Sequence, residues 1–158
     1  MGQKGLVIVY TGGGKGKTSA ALGLVLRAVG YNHKVCMVQF VKGSWHYGEL
    51  DSAKRLAPEF EMITAGKGFV GILDDKSPRE EHVKAANDTL MISREKIASG
   101  KFDVVILDEI NYAIQLELLK LDDVIDLIKS KPTELDLVPV SYTHLRAHET
   151  RHDLVCRL

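Results

Sequence analysis

Residues 11–18 read TGGGKGKT and combine the residue types that bind phosphate. Glycines allow positive φ angles and let backbone N–H groups point at an anion, lysines add positive charge, and a threonine at the start of a helix offers its hydroxyl to a magnesium ion. Thr11 takes the place of the first glycine in the usual pattern, so the loop is a variant. The residues expected to contact a nucleoside triphosphate are Gly12, Gly13, Gly14, Lys15, Gly16, Lys17, Thr18 and Ser19.

Two carboxylates follow an apolar stretch much later in the chain. Residues 102–107 predict a buried strand, and Asp108 and Glu109 come directly after it. Ligands of open α/β sheets bind at the carboxyl ends of the strands, and hard oxygen ligands suit Mg²⁺ or Mn²⁺. We therefore predict that Thr18, Asp108 and Glu109 hold a divalent metal. The alternative is a solvated acidic turn after a core strand.

Segments with strand character alternate with helical ones along the chain. The strand-like runs cover residues 6–10, 35–40, 60–64, 104–107 and 135–138. The helical patterns cover residues 19–29 and 78–99, which end at Gly30 and Gly100, and a further helix is predicted to begin near Leu121. This alternation predicts an α/β fold of the P-loop type, in three layers with a mainly parallel sheet.

The composition fits a single domain with one core. The chain has 158 residues, 45% of them apolar, and a formal net charge of zero. Basic residues are interspersed with acidic ones and no apolar run reaches the length of a membrane span, so neither a nucleic acid nor a membrane is expected as a partner. The cysteines are Cys36, in a strand-like run, and Cys156. This usage favours the reducing cytoplasm.

Three segments together resemble the ATP:corrinoid adenosyltransferases of the CobA/BtuR type. They are residues 11–23 (TGGGKGKTSAALG), 38–43 (VQFVKG) and 107–111 (LDEIN), and the resemblance extends over about residues 4–138. It implies a P-loop α/β domain that forms a homodimer. It also implies transfer of the 5′-deoxyadenosyl group of ATP to cobalt(I) of a corrinoid, cob(I)alamin or a cobalamin precursor, with release of triphosphate.

The resemblance implies roles for individual residues. Lys17, Thr18 and Glu109 are expected to act in catalysis, because the departing triphosphate must be neutralised and the metal held. The residues expected to bind the phosphates, the nucleoside or the corrinoid amides outside the loop are Gln39, Lys42 and Asn111.

A glycine-rich but apolar segment, residues 65–76, is predicted to form a loop over the site. By resemblance, Phe69 covers the lower face of the corrinoid and helps to displace its axial base. Gly71 is a departure, since some relatives carry an aromatic residue there. Trp45 and Tyr47 are further aromatic candidates near the site, and core packing is the alternative role for all three aromatic residues.

Two other functions stay open on the sequence alone. A P-loop kinase or ATPase needs a positioned base or water-orienting group and usually an arginine finger, and the arginines before residue 138 lie in no recognisable motif. A non-catalytic module would bind ATP and Mg²⁺ without turnover. Because no redox motif is visible, a separate reductase partner is expected to supply cobalt(I).

The end of the chain departs from the family pattern. After Val138 the family is expected to continue into a Thr-Gly-Arg turn, a helix and a closing strand, whereas Pro139 is predicted to interrupt the strand here. Residues 140–158 resemble translated sequencing-adapter DNA. We therefore expect residues 1–138 to form a P-loop domain truncated at its C-terminal end, and residues 139–158 to be a non-native tail that leaves the chain less stable and less active.

Overall fold

The computed structural model describes residues 4–42, 46–65 and 77–140. The helices are α1 (Lys17–Gly30), α2 (Gly48–Arg55), α3 (Arg79–Ala98), α4 (Ile110–Gln115) and α5 (Leu121–Lys129). The strands are β1 (Val35–Gln39), β2 (Phe60–Thr64), β3 (Val104–Asp108) and β4 (Asp136–Pro139). The strands follow the predicted positions closely, so the predicted α/β class is confirmed.

The four strands form one parallel sheet in the order β2-β1-β3-β4. All residues of β1 and β3 are buried, as expected for central strands covered by helices on both faces. The register places Gln39 opposite both Thr64 and Asp108. The last residues of three neighbouring strands therefore lie in one row at the carboxyl edge of the sheet.

Helices cover both faces of the sheet. Alternate strand residues such as Val104 and Ile106 pack with α1 and α2, while Val105 and Leu107 pack with α3, α4 and α5. Because side chains alternate along a strand, Asp108 follows Ile106 onto the α1 face. The three-layer arrangement predicted from the sequence is confirmed, and it directs the end of β3 toward the start of α1.

The segment predicted as the first strand, residues 6–10, runs parallel to β4 at the edge of the sheet. It makes isolated bridges between Val7 and Leu137 and between Tyr10 and Val140, and no continuous ladder with β4. The Ile8 N–H donates to the Leu137 carbonyl at 2.8 Å. The Leu137 N–H donates to the Leu6 carbonyl at 2.9 Å as well, so this segment is an edge element with interrupted pairing, and it delivers the chain to the phosphate loop.

Pro139 does not interrupt β4, contrary to the prediction. It is the last residue of the strand, and its carbonyl accepts the Tyr10 N–H at 3.0 Å. The Val140 N–H still donates to the Leu107 carbonyl at 2.9 Å. Proline lacks a donor only on the side that faces residues 6–10, where it leaves a gap in the pairing, so the ladder with β3 is preserved.

The helix boundaries follow local signals. Helix α3 begins directly after Pro78 and ends before Gly100, whose φ of 66° suits glycine, and α5 begins at Leu121, all as predicted. Helix α1 begins at Lys17, two residues before the predicted start. Helices α2 and α4 were not predicted, because segments of 8 and 6 residues are too short to show a clear period. Within the described ranges, no helix has the length and apolarity needed to cross a membrane.

Candidate functional site

The phosphate loop connects the edge segment to α1. Gly12, Gly14 and Gly16 have φ angles of 146°, 90° and 105°, in the region that side chains disfavour. A Cβ atom at these positions would meet no atom within 4 Å, so the requirement for glycine is conformational and not steric. The loop residues Gly13 and Lys15 are exposed, which leaves the loop open to a ligand.

Lys17 lies across the loop that precedes it. Its ammonium group donates to the carbonyl oxygens of Gly12 at 2.9 Å and Gly14 at 2.5 Å. The positive charge is thus held at the centre of the loop, beside the first N–H groups of α1, where an anion is favoured. Ser19 is exposed on the first turn of the same helix.

The Thr18 side chain connects α1 to the end of β3. Its hydroxyl donates to Asp108, at 3.0 Å from Oδ1 and 3.3 Å from Oδ2. Asp108 is fully buried, whereas Thr18 is half-buried. The structure therefore brings together two of the three predicted metal ligands from positions 90 residues apart.

Gln39 contacts the same carboxylate from β1. Its Nε2 donates to Asp108 Oδ2 at 3.0 Å, and its Oε1 accepts hydrogen bonds from the hydroxyls of Tyr47 at 2.6 Å and Thr64 at 3.3 Å. Both ends of the amide are therefore engaged within the protein. We predicted that Gln39 binds a nucleoside or corrinoid amide, and its position adds a contact that sequence reasoning did not propose.

The electrostatics of Asp108 reflect its buried position. Burial raises the pKa of the Asp108 carboxyl above its ordinary value, because the charged form loses its hydration. The hydrogen bonds from Gln39 and Thr18 and the positive charge of Lys42 act in the opposite direction. These three partners stabilise the ionised carboxylate that would ligate a metal.

Glu109 occupies a strained position next to Asp108. Its φ of 62° lies in the left-handed region, and it precedes the first residue of α4. Its Oε2 atom is buried and has no hydrogen-bond partner among the residues that the structure describes. Burial, followed by the negative charge of Asp108, raises the pKa of the Glu109 carboxyl. Strain and an unpaired polar atom are typical of a functional position.

Lys42 and Asn111 flank the two carboxylates. The Lys42 ammonium lies 3.9 Å from Glu49 and 4.6 Å from the centre of the Tyr47 ring. Asn111 is buried on α4, and its Nδ2 has no partner in the described part of the chain. Both predicted residues thus lie close to the carboxyl edge of the sheet.

Some predicted positions lie outside the described residues. These are Trp45, Phe69, Gly71 and residues 141–158. Sequence reasoning missed Thr64 and Glu49, which contact the predicted residues. Thr64 could have been found from the parallel register, since it is the polar residue that ends the strand beside Gln39.

Comparisons with known proteins give a consistent result. A family model described as ATP:corrinoid adenosyltransferase BtuR/CobO/CobP matches residues 3–150. The corrinoid adenosyltransferase of Escherichia coli K12 is 33% identical over 136 residues, which cover 86% of this chain and 67% of the relative. The corrinoid adenosyltransferase CobA of Salmonella typhimurium LT2 is 34% identical over 130 residues, or 82% of this chain and 64% of the relative.

A solved structure supports the fold independently. The flagellar accessory protein FlaH from Methanocaldococcus jannaschii matches with a TM-score of 0.55 over 90% of this chain and 62% of that chain, at 14% identity. This likeness bears on the fold alone. The family model covers most of the chain, including the phosphate loop and the end of β3. The chain belongs to the ATP:corrinoid adenosyltransferase family.

Proposed function

We propose that this chain transfers the 5′-deoxyadenosyl group of ATP to cobalt(I) of a corrinoid and releases triphosphate, in the biosynthesis or salvage of adenosylcobalamin. The observation that carries the proposal is the 3.0 Å hydrogen bond between Thr18 and Asp108, which joins the phosphate loop to the acidic end of β3. Membership of the adenosyltransferase family supplies the reaction class.

The triphosphate of ATP would bind at the phosphate loop. Gly12, Gly14 and Gly16 allow the backbone N–H groups to face an anion, and α1 begins directly after them. Lys17 and Lys15 would offset the negative charge of the phosphates. Binding would require the Lys17 ammonium to exchange its contacts with the loop carbonyls for contacts with phosphate oxygens.

The donor set at this edge fits a divalent cation. Thr18 contributes a hydroxyl oxygen with free lone pairs, Asp108 a carboxylate, and Glu109 a buried oxygen that lacks a partner among the described residues. The described part of the chain holds no cluster of three or more His, Cys, Asp or Glu side chains, which suits a cation whose other ligands are phosphates and water. Thr18, Asp108 and Glu109 would hold Mg²⁺ or Mn²⁺, which supplies positive charge for the leaving triphosphate.

The chemical step needs no nucleophile from the protein. The electron pair of cobalt(I) attacks the 5′ carbon of ATP, a cobalt–carbon bond forms, and the carbon–oxygen bond breaks so that its electron pair leaves with the triphosphate. The task of the protein is to hold the 5′ carbon in line and to stabilise the charge that develops on the leaving group. We assign the second part of that task to Lys17, Thr18 and Glu109.

The corrinoid would lie beyond the nucleotide at the same edge. Asn111 has a buried amide nitrogen that could donate to a corrinoid amide. Lys42 lies beside Tyr47, the residue that precedes α2. We further propose that Phe69 contacts the corrinoid, that the enzyme is a homodimer of the cytoplasm, and that a separate reductase supplies cobalt(I), as the family resemblance implies.

Product analysis tests the proposed function. The protein is incubated anaerobically with ATP and Mg²⁺, with and without a cobalt(I) corrinoid, and triphosphate is separated from ADP and phosphate. We expect intact triphosphate only when the corrinoid is present. ADP formed without the corrinoid would instead indicate a kinase or an ATPase.

A matched pair of lysine variants controls for general effects. Lys17→Ala removes the charge at the loop and is expected to abolish product formation, because the triphosphate loses its main cationic contact. Lys101→Ala removes an exposed lysine at the opposite edge of the sheet and is expected to keep full activity. Equal activity of the two variants would contradict the proposed role of the loop.

A further inference from the structure

We propose that Gln39 is a positioning residue that orients the Asp108 carboxylate toward Thr18, and that Tyr47 sets the orientation of the Gln39 amide. The proposal rests on the proposed function, because it concerns the same metal and nucleotide site. We call this row of side chains, Tyr47, Gln39, Asp108 and Thr18, the Tyr47–Thr18 relay. Each neighbouring pair in this relay is joined by a hydrogen bond of 3.0 Å or less.

The hydrogen bonds determine which way the Gln39 amide faces. An ionised carboxylate only accepts hydrogen bonds, so the amide nitrogen must face Asp108. The amide oxygen then faces Tyr47 and Thr64, and the Tyr47 hydroxyl donates to it at 2.6 Å. If the Tyr47 hydroxyl were removed, the longer hydrogen bond from Thr64, at 3.3 Å, would be the remaining side-chain contact of the amide oxygen among the described residues, and the amide would be held less firmly in this orientation.

Burial of Gln39 and Asp108 strengthens the constraint on their orientations. Gln39 and Asp108 are both fully buried, at 0% exposure, so water does not replace a lost partner. Asp108 Oδ2 accepts from Gln39 while Oδ1 accepts from Thr18. Two donors on different oxygens restrict rotation of the carboxylate. Loss of the Gln39 donor would leave Thr18 as the remaining side-chain donor to Asp108 among the described residues.

The relay also links the metal site to α2. Tyr47 immediately precedes the first residue of α2, and the Lys42 ammonium lies 4.6 Å from the centre of its ring. A shift of Tyr47 would move the Gln39 side chain, which lies between Tyr47 and Asp108 and contacts both. The placement of α2 would therefore influence metal binding at the loop.

The proposal separates two roles that Gln39 could have. A positioning residue acts through Asp108 and affects only nucleotide binding that depends on the metal. A residue that contacts the nucleoside directly would affect nucleotide binding with and without the metal. The two roles therefore differ in a binding measurement that does not depend on turnover.

The experiment measures binding of adenylyl-imidodiphosphate by equilibrium dialysis with and without Mn²⁺, and electron paramagnetic resonance of free Mn²⁺ gives the affinity of the nucleotide complex for the metal. Gln39→Met keeps the volume of the side chain and removes both hydrogen-bonding groups. We expect the affinity for Mn²⁺ in the nucleotide complex to fall about tenfold, and nucleotide affinity without metal to stay unchanged. Tyr47→Phe is expected to lower the Mn²⁺ affinity about threefold.

Two further variants sharpen the result. Tyr31→Phe removes a hydroxyl from a tyrosine that is 75% exposed at the end of α1, and it should leave both affinities unchanged. In the double variant Gln39→Met/Tyr47→Phe, the Mn²⁺ affinity should match that of Gln39→Met alone, because both changes act through one relay. Tyr47 is half-buried and loses only a hydroxyl, so Tyr47→Phe decides the matter if Gln39→Met fails to fold.

The outcomes distinguish this proposal from the proposed function. Unchanged Mn²⁺ affinity in Tyr47→Phe and in folded Gln39→Met overturns the positioning role, and so does an equal loss of metal-free nucleotide affinity. An unaltered chain that binds the metal and nucleotide but forms no adenosylated corrinoid contradicts the proposed function, while the variants still test the relay. An unaltered chain without metal-dependent nucleotide binding contradicts both.

Discussion

The two edges of the sheet use similar polar residues in different ways. At the amino edge, Asp103 and Asp136 each accept a backbone N–H group at 2.7 Å, from Lys34 and Leu6 respectively. At the carboxyl edge, the Asp108 carboxylate accepts hydrogen bonds only from side chains in the described contacts. Carboxylates at the first edge accept backbone N–H groups, and the carboxylate at the second edge is held by side chains of α1 and β1, which we propose orient it toward a metal.

Lysines show the same contrast. Lys131, at the amino edge, donates to the carbonyl oxygens of Gly5, Pro132 and Leu135 at 2.9 to 3.1 Å. Lys17 also donates to carbonyl oxygens, but these belong to an exposed loop that a phosphate could reach. A structural lysine thus joins segments that stay together, whereas a binding lysine makes contacts that a substrate can replace.

Hydrogen-bond partners therefore distinguish a binding role from a structural role more clearly than residue types do. The amino edge satisfies its charges with backbone groups of the fold. Glu109 and Asn111 at the carboxyl edge retain buried polar atoms that lack partners among the described residues. An unsatisfied buried atom costs free energy, so atoms of this kind are typical of positions that contact a ligand.

The first prediction compares substitutions at the two ends of β3. Asp108→Asn should lower adenosyl transfer about 100-fold, because the neutral amide is a poor metal ligand. The midpoint of thermal unfolding should change little, because removal of a buried charge offsets the loss of one hydrogen bond, from Gln39 or Thr18, that the new amide nitrogen cannot accept. Steady-state kinetics and thermal unfolding measure both properties.

The matched control for that change is Asp103→Asn at the amino edge. It weakens the hydrogen bond to the Lys34 N–H, so stability should fall while activity per folded molecule is unchanged. A loss of activity in Asp103→Asn equal to that in Asp108→Asn would contradict the division of roles between the edges.

A second prediction concerns the amino edge. Lys131→Met removes three hydrogen bonds to carbonyl oxygens and should lower the free energy of unfolding by about 2 kcal/mol, with activity per folded molecule unchanged. Denaturant unfolding measures the change. Lys101→Met, at an exposed lysine of the same edge, should have almost no effect. Similar stabilities of the two variants would show that the Lys131 contacts contribute little.

A third prediction concerns the strain at Glu109. Glu109→Gly should raise the free energy of unfolding by about 1 kcal/mol, because glycine accepts a φ of 62° and a buried carboxyl is removed. Metal-dependent nucleotide binding should weaken in the same variant. Glu117→Gly, at an exposed position with a φ of 56°, should relieve comparable strain and keep binding intact. Reduced stability of Glu109→Gly would contradict the idea that the site stores strain.

The smallest expected effect concerns Cys36 in the core. Burial raises the pKa of the Cys36 thiol to about 12, with the negative charge of Glu61 as the next cause, so the group is neutral at pH 8. Because only the thiolate reacts, a disulfide reagent should modify native Cys36 slowly in a Cys156→Ser background and rapidly once the protein is unfolded. Absorbance of the released thiol follows the reaction. Rapid modification of the native protein would contradict the buried environment.

Much of the fold could be predicted from the sequence because its signals are local. The apolar runs that became β1, β2 and β3 are bounded by turns, and Pro78 and Gly100 mark the ends of α3. The interrupted pairing of residues 6–10 could not be predicted, because it depends on the register that places Pro139, which has no N–H, beside this segment. Pro139 was misjudged since proline disrupts a strand only on the side where its N–H would have donated.

The sequence predicted the residues of the candidate site and not their contacts. The loop motif and the acidic residues after position 107 led to Lys17, Thr18, Asp108 and Glu109, whose roles stay predictions. The bonds of Gln39 to Asp108 and Tyr47 depend on strand order and register, which no single segment encodes. The missed contribution of Thr64 has the same origin. Long-range register, and not residue type, limited what the sequence could indicate.

Adenosyl transfer can be recognised by the fate of the oxygen atom that joins C5′ of ATP to the first phosphorus. ATP labelled with ¹⁸O at this atom is incubated anaerobically with the protein, Mg²⁺ and a cobalt(I) corrinoid, and the products are analysed by mass spectrometry. Adenosyl transfer breaks the carbon–oxygen bond, so we predict the label in triphosphate, and about 100-fold slower formation of this product with Asp108→Asn. Label retained in ADP would show that a phosphorus–oxygen bond breaks, and it would contradict the account.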